Sequence, residues 1–308
     1  MNETIRKGII PRPLAPGDEI GLITPAGPLV DQDKFAAGVD RLRSAGYSVR
    51  LPEGLTESSH YLAASDLDRA DQLLTVWRDP QIKAIIAARG GYGCLRLLPH
   101  LEPYLPDLPP KIIAGFSDVT VLLNHISQVT GNVTYHSPMV TTLSGCDQPS
   151  FQSFLAMLNG TLPEKIRPDD LKILSPGQAT GILRGGNLAC LVHLIGTPYE
   201  LDWQNSILFV EDTGEAPYQV DRMLTQLHAA GRLDQLAGLI LGTFSHGEGK
   251  ERDDVSLIWQ RVVELTDGRY PVWANFPVGH TGRNQVLPIG RQVTMDSASN
   301  ELSFAKVF

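Results

Sequence analysis

The chain has 308 residues, 42% of them hydrophobic and 19% charged, a length that predicts about two domains and a balance that supplies a core and excludes a disordered chain. Its 34 Asp and Glu outnumber 26 Lys and Arg, for a net charge of −8, and this excludes the basic surplus of a duplex nucleic-acid binder. No apolar run nears the ~18 residues that span a bilayer; the most apolar stretch, Leu236 to Phe244, is broken by Gly238 and Gly242. The segment Met1 to Lys7, ahead of Pro11 and Pro13, has no apolar h-region, which predicts no signal peptide and a cytoplasmic protein. Cys94, Cys146 and Cys190 are odd in number and far apart; they fit free thiols in a reducing compartment, without a CxxC metal or redox motif.

In chain order, Glu19 to Thr24 predicts a strand that ends in the turn Pro25-Ala26-Gly27-Pro28. Asp31 then caps a helix over Gln32 to Ser44, with Phe35, Val39 and Leu42 at helical spacing, and Gly46 stops it. A strand over Tyr47 to Leu51, a helix over Leu67 to Trp77 and a strand over Ile82 to Ala88 follow, the last running into Arg89-Gly90-Gly91-Tyr92-Gly93. Ile112 to Ala114 is a strand that meets Gly115-Phe116-Ser117-Asp118, and a helix over Val119 to Val129 ends at Gly131. Strands alternating with helices predict a parallel sheet with helices on both faces. Cys146 to Ala179 carries Pro149, Pro163, Pro168 and Pro176 around one short helix, Phe151 to Leu158. It reads as the connection between two domains, 1–145 and 180–308. The second domain holds strands at Thr180 to Leu183, Ile207 to Val210 and Leu236 to Leu241, helices at Val220 to Ala230 and Val255 to Leu265, and short strands toward the C-terminus. It is the more β-rich half, and no internal repeat is visible.

Four segments carry residues suited to chemistry. At Gly115-Phe116-Ser117-Asp118-Val119 a serine stands where a strand turns into a helix, which would expose its oxygen and aim the next N–H at an incoming carbonyl. The pattern is one glycine short of the hydrolase elbow, and Ser117 or Asp118 would also serve simply as a helix cap. Arg89 to Gly93 occupies the equivalent corner one strand earlier, where glycine N–H groups can bind an oxyanion or merely form a tight turn. It has neither G-x-G-x-x-G nor a P-loop lysine. Phe209-Val210-Glu211-Asp212 is an apolar strand ending in acids, with Glu215 close behind. Any of the three carboxylates would orient a histidine, and solvated loop acids are the plain alternative. Pro277-Val278-Gly279-His280-Thr281-Gly282 places a histidine in a glycine-flanked loop, a setting suited to a general base.

Of the other histidines, His125 and His193 read as packed or solvent-facing, and His60, His100, His228 and His246 have no acid-and-nucleophile context. His136, after an apolar strand and before Ser137, is a weaker competitor. No histidine and acid spacing predicts a metal site.

Together these segments, with Ile23-Thr24-Pro25-Ala26, Gly185-Gly186-Asn187-Leu188 and Glu211-Asp212-Thr213-Gly214-Glu215, resemble the LD-carboxypeptidase family, the muramoyltetrapeptide carboxypeptidases, over nearly the whole chain. The resemblance implies an α/β fold: an N-terminal parallel-sheet, flavodoxin-like domain, a smaller β-rich α/β C-terminal domain, and an active site in the cleft between them. It implies a metal-free triad of Ser117, Glu211 and His280, and it is the resemblance that selects Glu211 over Asp212. The N–H groups of Asp118 and Gly91 would hold the oxyanion. The implied substrate is a murein tetrapeptide, cut between an L-centre of lysine or diaminopimelate and a terminal D-alanine, in cell-wall recycling. No cofactor, nucleic acid or membrane is expected, and the family suggests a homodimer. Arg89, Arg184 and Arg283 are chemically suited to the substrate carboxylate. Within the resemblance, the microcin-immunity branch shares the triad and cleaves a peptide-nucleotide antibiotic. A non-catalytic small-ligand binder on the same scaffold is the alternative from another class.

Overall fold

A computed structural model describes residues 8–51, 60–246 and 254–305; the segment Met1 to Lys7 lies outside the described residues. The first half runs β1 (Glu19–Ile23), α1 (Gln32–Ser44), β2 (Ser48–Arg50), α2 (Asp66–Arg78), β3 (Ile82–Ala87), α3 (Leu98–Leu101), β4 (Ile112–Gly115), α4 (Thr120–Thr130), β5 (Thr134–His136), α5 (Val140–Leu143) and α6 (Gln148–Leu158). The second half runs β6 (Lys165–Ile166), β7 (Lys172–Ser175), β8 (Gln178–Asn187), α7 (Leu188–Val192), β9 (Ser206–Thr213), α8 (Pro217–Ala229), β10 (Gly238–Ser245), α9 (Val255–Thr266), β11 (Val272–Ala274), β12 (Leu287–Ile289), β13 (Gln292–Asp296) and β14 (Glu301–Phe304).

The helices start where short polar side chains can take the first free N–H groups. Asp31 accepts from the Lys34 N–H at 2.9 Å and Ser65 from the Asp68 N–H at 3.2 Å, capping α1 and α2. At the other end of α4, Gly131 closes the helix in the left-handed conformation, φ 74°.

The first sheet has the order β12-β5-β4-β3-β1-β2. Its first five strands in sequence are parallel, in the flavodoxin-like order 2-1-3-4-5. Side chains alternate between two apolar layers: Ile23, Ile85, Ala87 and Ile113 enter one, and Ile20, Leu22, Ala84, Ile86, Ile112 and Ala114 the other. Both faces are thus covered by helices, as a parallel sheet requires. The sixth strand, β12, comes from the far end of the chain and pairs antiparallel with β5, Leu287 opposite His136. The first sheet is therefore completed by residues expected to belong wholly to the second domain.

The second sheet has the order β6-β14-β13-β8-β9-β10-β11-β7. β8 to β11 are mutually parallel, and the flanking pairs are antiparallel. Residues 146–179, expected as a connection, contribute α6 and the two edge strands β6 and β7. β8 is longer than the strand expected over Thr180 to Leu183: it continues through Arg184-Gly185-Gly186 to Asn187, which caps α7 by accepting from the Cys190 N–H. β9 likewise extends beyond Val210 to carry Glu211 and Asp212 within the strand. The two halves are joined at α4 and β8. Asn124 donates to the Gly185 carbonyl at 2.8 Å and accepts from the Gly185 N–H, and the Asn187 N–H donates to Thr120 Oγ1 at 3.0 Å. One apolar core runs through this junction, from Ile23 and Leu122 to Phe209 and Trp273. Among the described residues no helix is long and apolar enough to cross a membrane.

Candidate active site

Ser117 follows the C-terminal end of β4 and has φ 61°, a left-handed conformation that costs a non-glycine residue energy and marks a tight turn. The turn is a 3-10 segment over 117–119 that leads into α4, and neither start is capped by a side chain. Asp118 is buried and accepts instead from the Cys94 N–H at 2.8 Å, which ties the turn to the end of the glycine-rich loop. Burial raises the Asp118 carboxyl pKa against the opposing pull of that bond. Helix capping is thus not what Ser117 and Asp118 do here.

The glycine-rich loop presses on the serine. A Cβ on Gly90 would stand 2.8 Å from Ser117 Cβ and 2.9 Å from its Oγ, so only glycine lets the loop approach this closely. The Gly27 N–H donates to the Gly90 carbonyl at 3.2 Å, joining the turn after β1 to this loop next to Gly91. Both loops are also held from beneath by Arg69, fully buried, whose guanidinium donates to the carbonyls of Pro25 and Gly93 and pairs with Asp66.

Glu211 is buried in β9, opposite Asn187 of β8. Its Oε2 lies 2.6 Å from His280 Nδ1, and its Oε1 has no hydrogen-bond partner among the described residues. A carboxylate can only accept, so Nδ1 carries the proton and Nε2 is left as the acceptor of the ring. The histidine's side chain is 17% exposed. Burial alone would lower its pKa, but the Glu211 charge and hydrogen bond, with the Asp212 charge behind them, outweigh burial and raise it. The His280 loop is built around Gly279, φ 136°, where a Cβ would stand 2.1 Å from Thr243 Oγ1. It is fastened to β10 by the Thr243 N–H to the Val278 carbonyl, 2.9 Å, and closed on itself by Gln285 N–H to the Pro277 carbonyl, 2.8 Å.

The imidazole of His280 packs at a tilt of 53° against the ring of Phe116, centroids 4.6 Å apart, and Phe116 is next in sequence to Ser117. Glu211 of β9 and His280 of the loop before β12 are thus bonded to each other, and His280 packs beside Phe116, the residue before Ser117; among the described residues no hydrogen bond joins Ser117 Oγ to His280.

The acids left open in the sequence have different fates. Asp212 faces away from His280's ring nitrogens into a network of its own, accepting from Asn187 Nδ2, the Thr213 N–H and the Ala189 N–H, each at 2.8 to 2.9 Å. Burial, then the neighbouring Glu211 charge, pushes its pKa up to about 6. The arginines are scattered. Arg89 donates to the Pro28 carbonyl at 2.5 Å, and Arg283 faces Asp170 at 3.4 Å in a solvent-exposed pair. Arg184 feels Asp202, before the start of β9, and its Nη1 is buried without a hydrogen-bond partner among the described residues. That is the end of β9 away from Glu211. His125 packs edge-on to Tyr199, and His193 is exposed.

One site residue, Asn284, went unread in the sequence, and His136 was read there only as a weaker competitor for the base. Asn284 accepts from the Gly279 N–H at 3.1 Å and from His136 Nε2 at 2.9 Å, and His136 packs edge-on against both Phe116 and Phe209. The only local signal was a polar side chain in a run of glycines after a histidine.

Comparison with known proteins bears on this arrangement. The description LD-carboxypeptidase N-terminal domain matches residues 20–137, and LD-carboxypeptidase C-terminal domain matches 180–295. A putative carboxypeptidase of Synechocystis is 39% identical over 99% of this chain and 100% of its own length. A probable murein peptide carboxypeptidase of Bacillus subtilis is 36% identical over 94% of this chain and 92% of its own. The crystal structure of an MccF-like protein from Bacillus anthracis superposes with a TM-score of 0.85 at 26% identity, over 97% of this chain and 100% of that one; MccF itself is the microcin C7 self-immunity protein of Escherichia coli. Fold, family match and relatives together define a two-sheet α/β protein of the carboxypeptidase class. The chain belongs to the LD-carboxypeptidase family.

Proposed function

We propose that this protein is a serine carboxypeptidase that hydrolyses the L–D amide bond of murein tetrapeptides and releases terminal D-alanine. The observation that carries the reading is the 2.6 Å bond from Glu211 to His280, with the imidazole lying on the residue beside a left-handed serine. Ser117 Oγ attacks the amide carbonyl while His280 Nε2 takes its proton. The oxygen of the tetrahedral intermediate lies between the N–H groups of Asp118 and Gly91, a pair of donors of which one is typically worth about 3 kcal/mol of barrier. His280 then returns the proton to the departing D-alanine nitrogen, and water repeats the sequence on the acyl-serine. Glu211 holds the Nδ1–H tautomer and stabilises the imidazolium; being fully buried, its charge is not diluted by water.

The murein substrate is supported by the Bacillus subtilis relative, named as a probable murein peptide carboxypeptidase. Cytoplasmic recycling in a homodimer belongs to the same reading. The likeness to an MccF-like structure favours one second reading, cleavage of a peptide-nucleotide antibiotic by the same three residues. Incubation with disaccharide-free tetrapeptide, with D-alanine followed by mass spectrometry, tests the proposal. Release is expected with and without EDTA, and Ser117→Ala should lower turnover by several orders of magnitude, as loss of a triad nucleophile does. Release abolished by EDTA, or undiminished in S117A, would sink it; a specificity constant far higher for the peptide-nucleotide would transfer the chemistry to the second substrate.

A further inference from the structure

His136 stands out as a buried histidine without a part in the reaction above. It is completely buried, and burial pushes its pKa down to about 4, so the ring is neutral near pH 7. Its tautomer follows from its neighbour. Asn284 must present its oxygen to the Gly279 N–H, because the alternative rotamer would set two donors face to face. His136 Nε2, 2.9 Å from that same oxygen, must then donate. Nδ1 has no hydrogen-bond partner among the described residues, and the ring sits against two phenylalanines.

The location matters more than the protonation. The main chain of His136 is paired with Gly115 at the end of β4, two residues before Ser117, and the Ser137 N–H donates to the Gly115 carbonyl at 3.0 Å. Its side chain holds Asn284, which holds the Gly279 N–H next to His280. Asn284 is anchored in turn by its own N–H to Ser150 Oγ of α6, 2.8 Å. The ring also wedges edge-on between Phe116, which touches His280, and Phe209, two residues before Glu211. One side chain thus touches the segments bearing all three reacting groups.

We propose that His136 and Asn284 form a buried positioning pair that sets the distance and tilt of the His280 ring relative to Ser117. The proposal rests on the triad reading. Neither residue touches substrate; they act through His280. The charged or titratable groups facing His280 are Glu211, Asp212 and neutral His136, so loosening the loop from Glu211 also lowers the His280 pKa.

The test is kinetics of D-alanine release from disaccharide-free murein tetrapeptide between pH 5 and 9, with melting temperatures recorded in parallel. His136→Phe keeps the ring volume and removes the donor; it should lower kcat at least tenfold, leave KM within twofold, and move the acid limb of kcat/KM to lower pH. His136→Gln, whose amide can still donate to Asn284, should recover most of the lost kcat. Asn284→Ala should reproduce H136F and carries the comparison if H136F fails to fold. Wild-type kcat and acid limb in H136F or N284A would overturn the proposal. So would equal losses in H136F and H136Q that track the melting temperature, since packing alone would then explain them. Inactive wild type, or active S117A, would instead overturn the triad reading. In that event the His280 imidazole titration by NMR decides for the pair: a displaced pKa in H136F upholds it, and an unchanged one overturns it.

Discussion

At the scale of single residues, the site depends on atoms that are missing as much as on those present. Gly90 is within contact of Ser117, and its backbone is not in the left-handed region, so an alanine there is strained by space alone. Gly90→Ala should push the serine off its line of attack and lower kcat about 100-fold with little change in melting temperature, because displacements near 1 Å are costly to a positioned nucleophile. The charge of Glu211 is a separate matter from its shape. Glu211→Gln can still accept from Nδ1 but no longer holds the His280 pKa up, so the acid limb of kcat/KM should move to lower pH. The same variant should lose roughly 10⁴-fold in kcat, the magnitude known for an acid-to-amide change behind a catalytic histidine. A limb that stays in place would show that Glu211 does not set the protonation of His280.

At the scale of elements, what brings the loops together is a set of buried polar struts. Arg69 projects from α2 under two loops that are far apart in sequence, satisfying the carbonyls of Pro25 and Gly93 while Asp66 balances its charge. Arg69→Met should cost about 3 kcal/mol in urea unfolding, since it takes a donor from the carbonyls of Pro25, Ala64 and Gly93 and leaves Asp66 with Arg96 alone. Asp212 plays a comparable part for the start of α7, through Asn187 and the Ala189 N–H. This explains why a strand ends in two consecutive acids: β9 sends Glu211 to one face and Asp212 to the other. The bulge of β10 between Leu241 and Phe244 lets that strand's end bend to receive the His280 loop at Thr243.

At the scale of the whole molecule, the two sheets are not independent. β12 closes the first sheet with residues that follow His280, so this histidine is strung between a loop fastened to β10 and a strand fastened to β5. The ionisation of His136 couples the whole fold to pH. Its pKa is about 4 when folded against about 6.5 unfolded. The unfolded chain therefore binds more protons between those values, and stability contributed by the neutral ring is present above pH 6.5 and lost as pH falls toward 4. Asp212, raised to about 6 from 3.8, acts with the opposite sign, its contribution falling as pH rises from 4 to 6. Urea unfolding of wild type and H136Q from pH 4 to 7 isolates the first of these. The wild type should lose more stability on acidification than the variant, by on the order of 3 kcal/mol; parallel curves would contradict the buried neutral ring.

The residues alone determined a good deal of this. Asp31 and Gly131 announced their helix ends because capping is local chemistry, settled within four residues. The parallel character of the first sheet was legible in its alternation of strand and helix, and the pairing of Glu211 with His280 was reachable through family motifs. Local sequence could not choose among Glu211, Asp212 and Glu215, nor see Asn284 or Arg69, because their partners lie tens to hundreds of residues away. Asn284 and His136 are 148 positions apart. Nor could it see that β8 runs on past Leu183 through Gly185 and Gly186, because Thr120 of α4 packs against Gly186 only in the folded chain. Short-range hydrogen bonds are written in neighbouring residues; which carboxylate meets which imidazole was decided only when the strands of two sheets ended at one place.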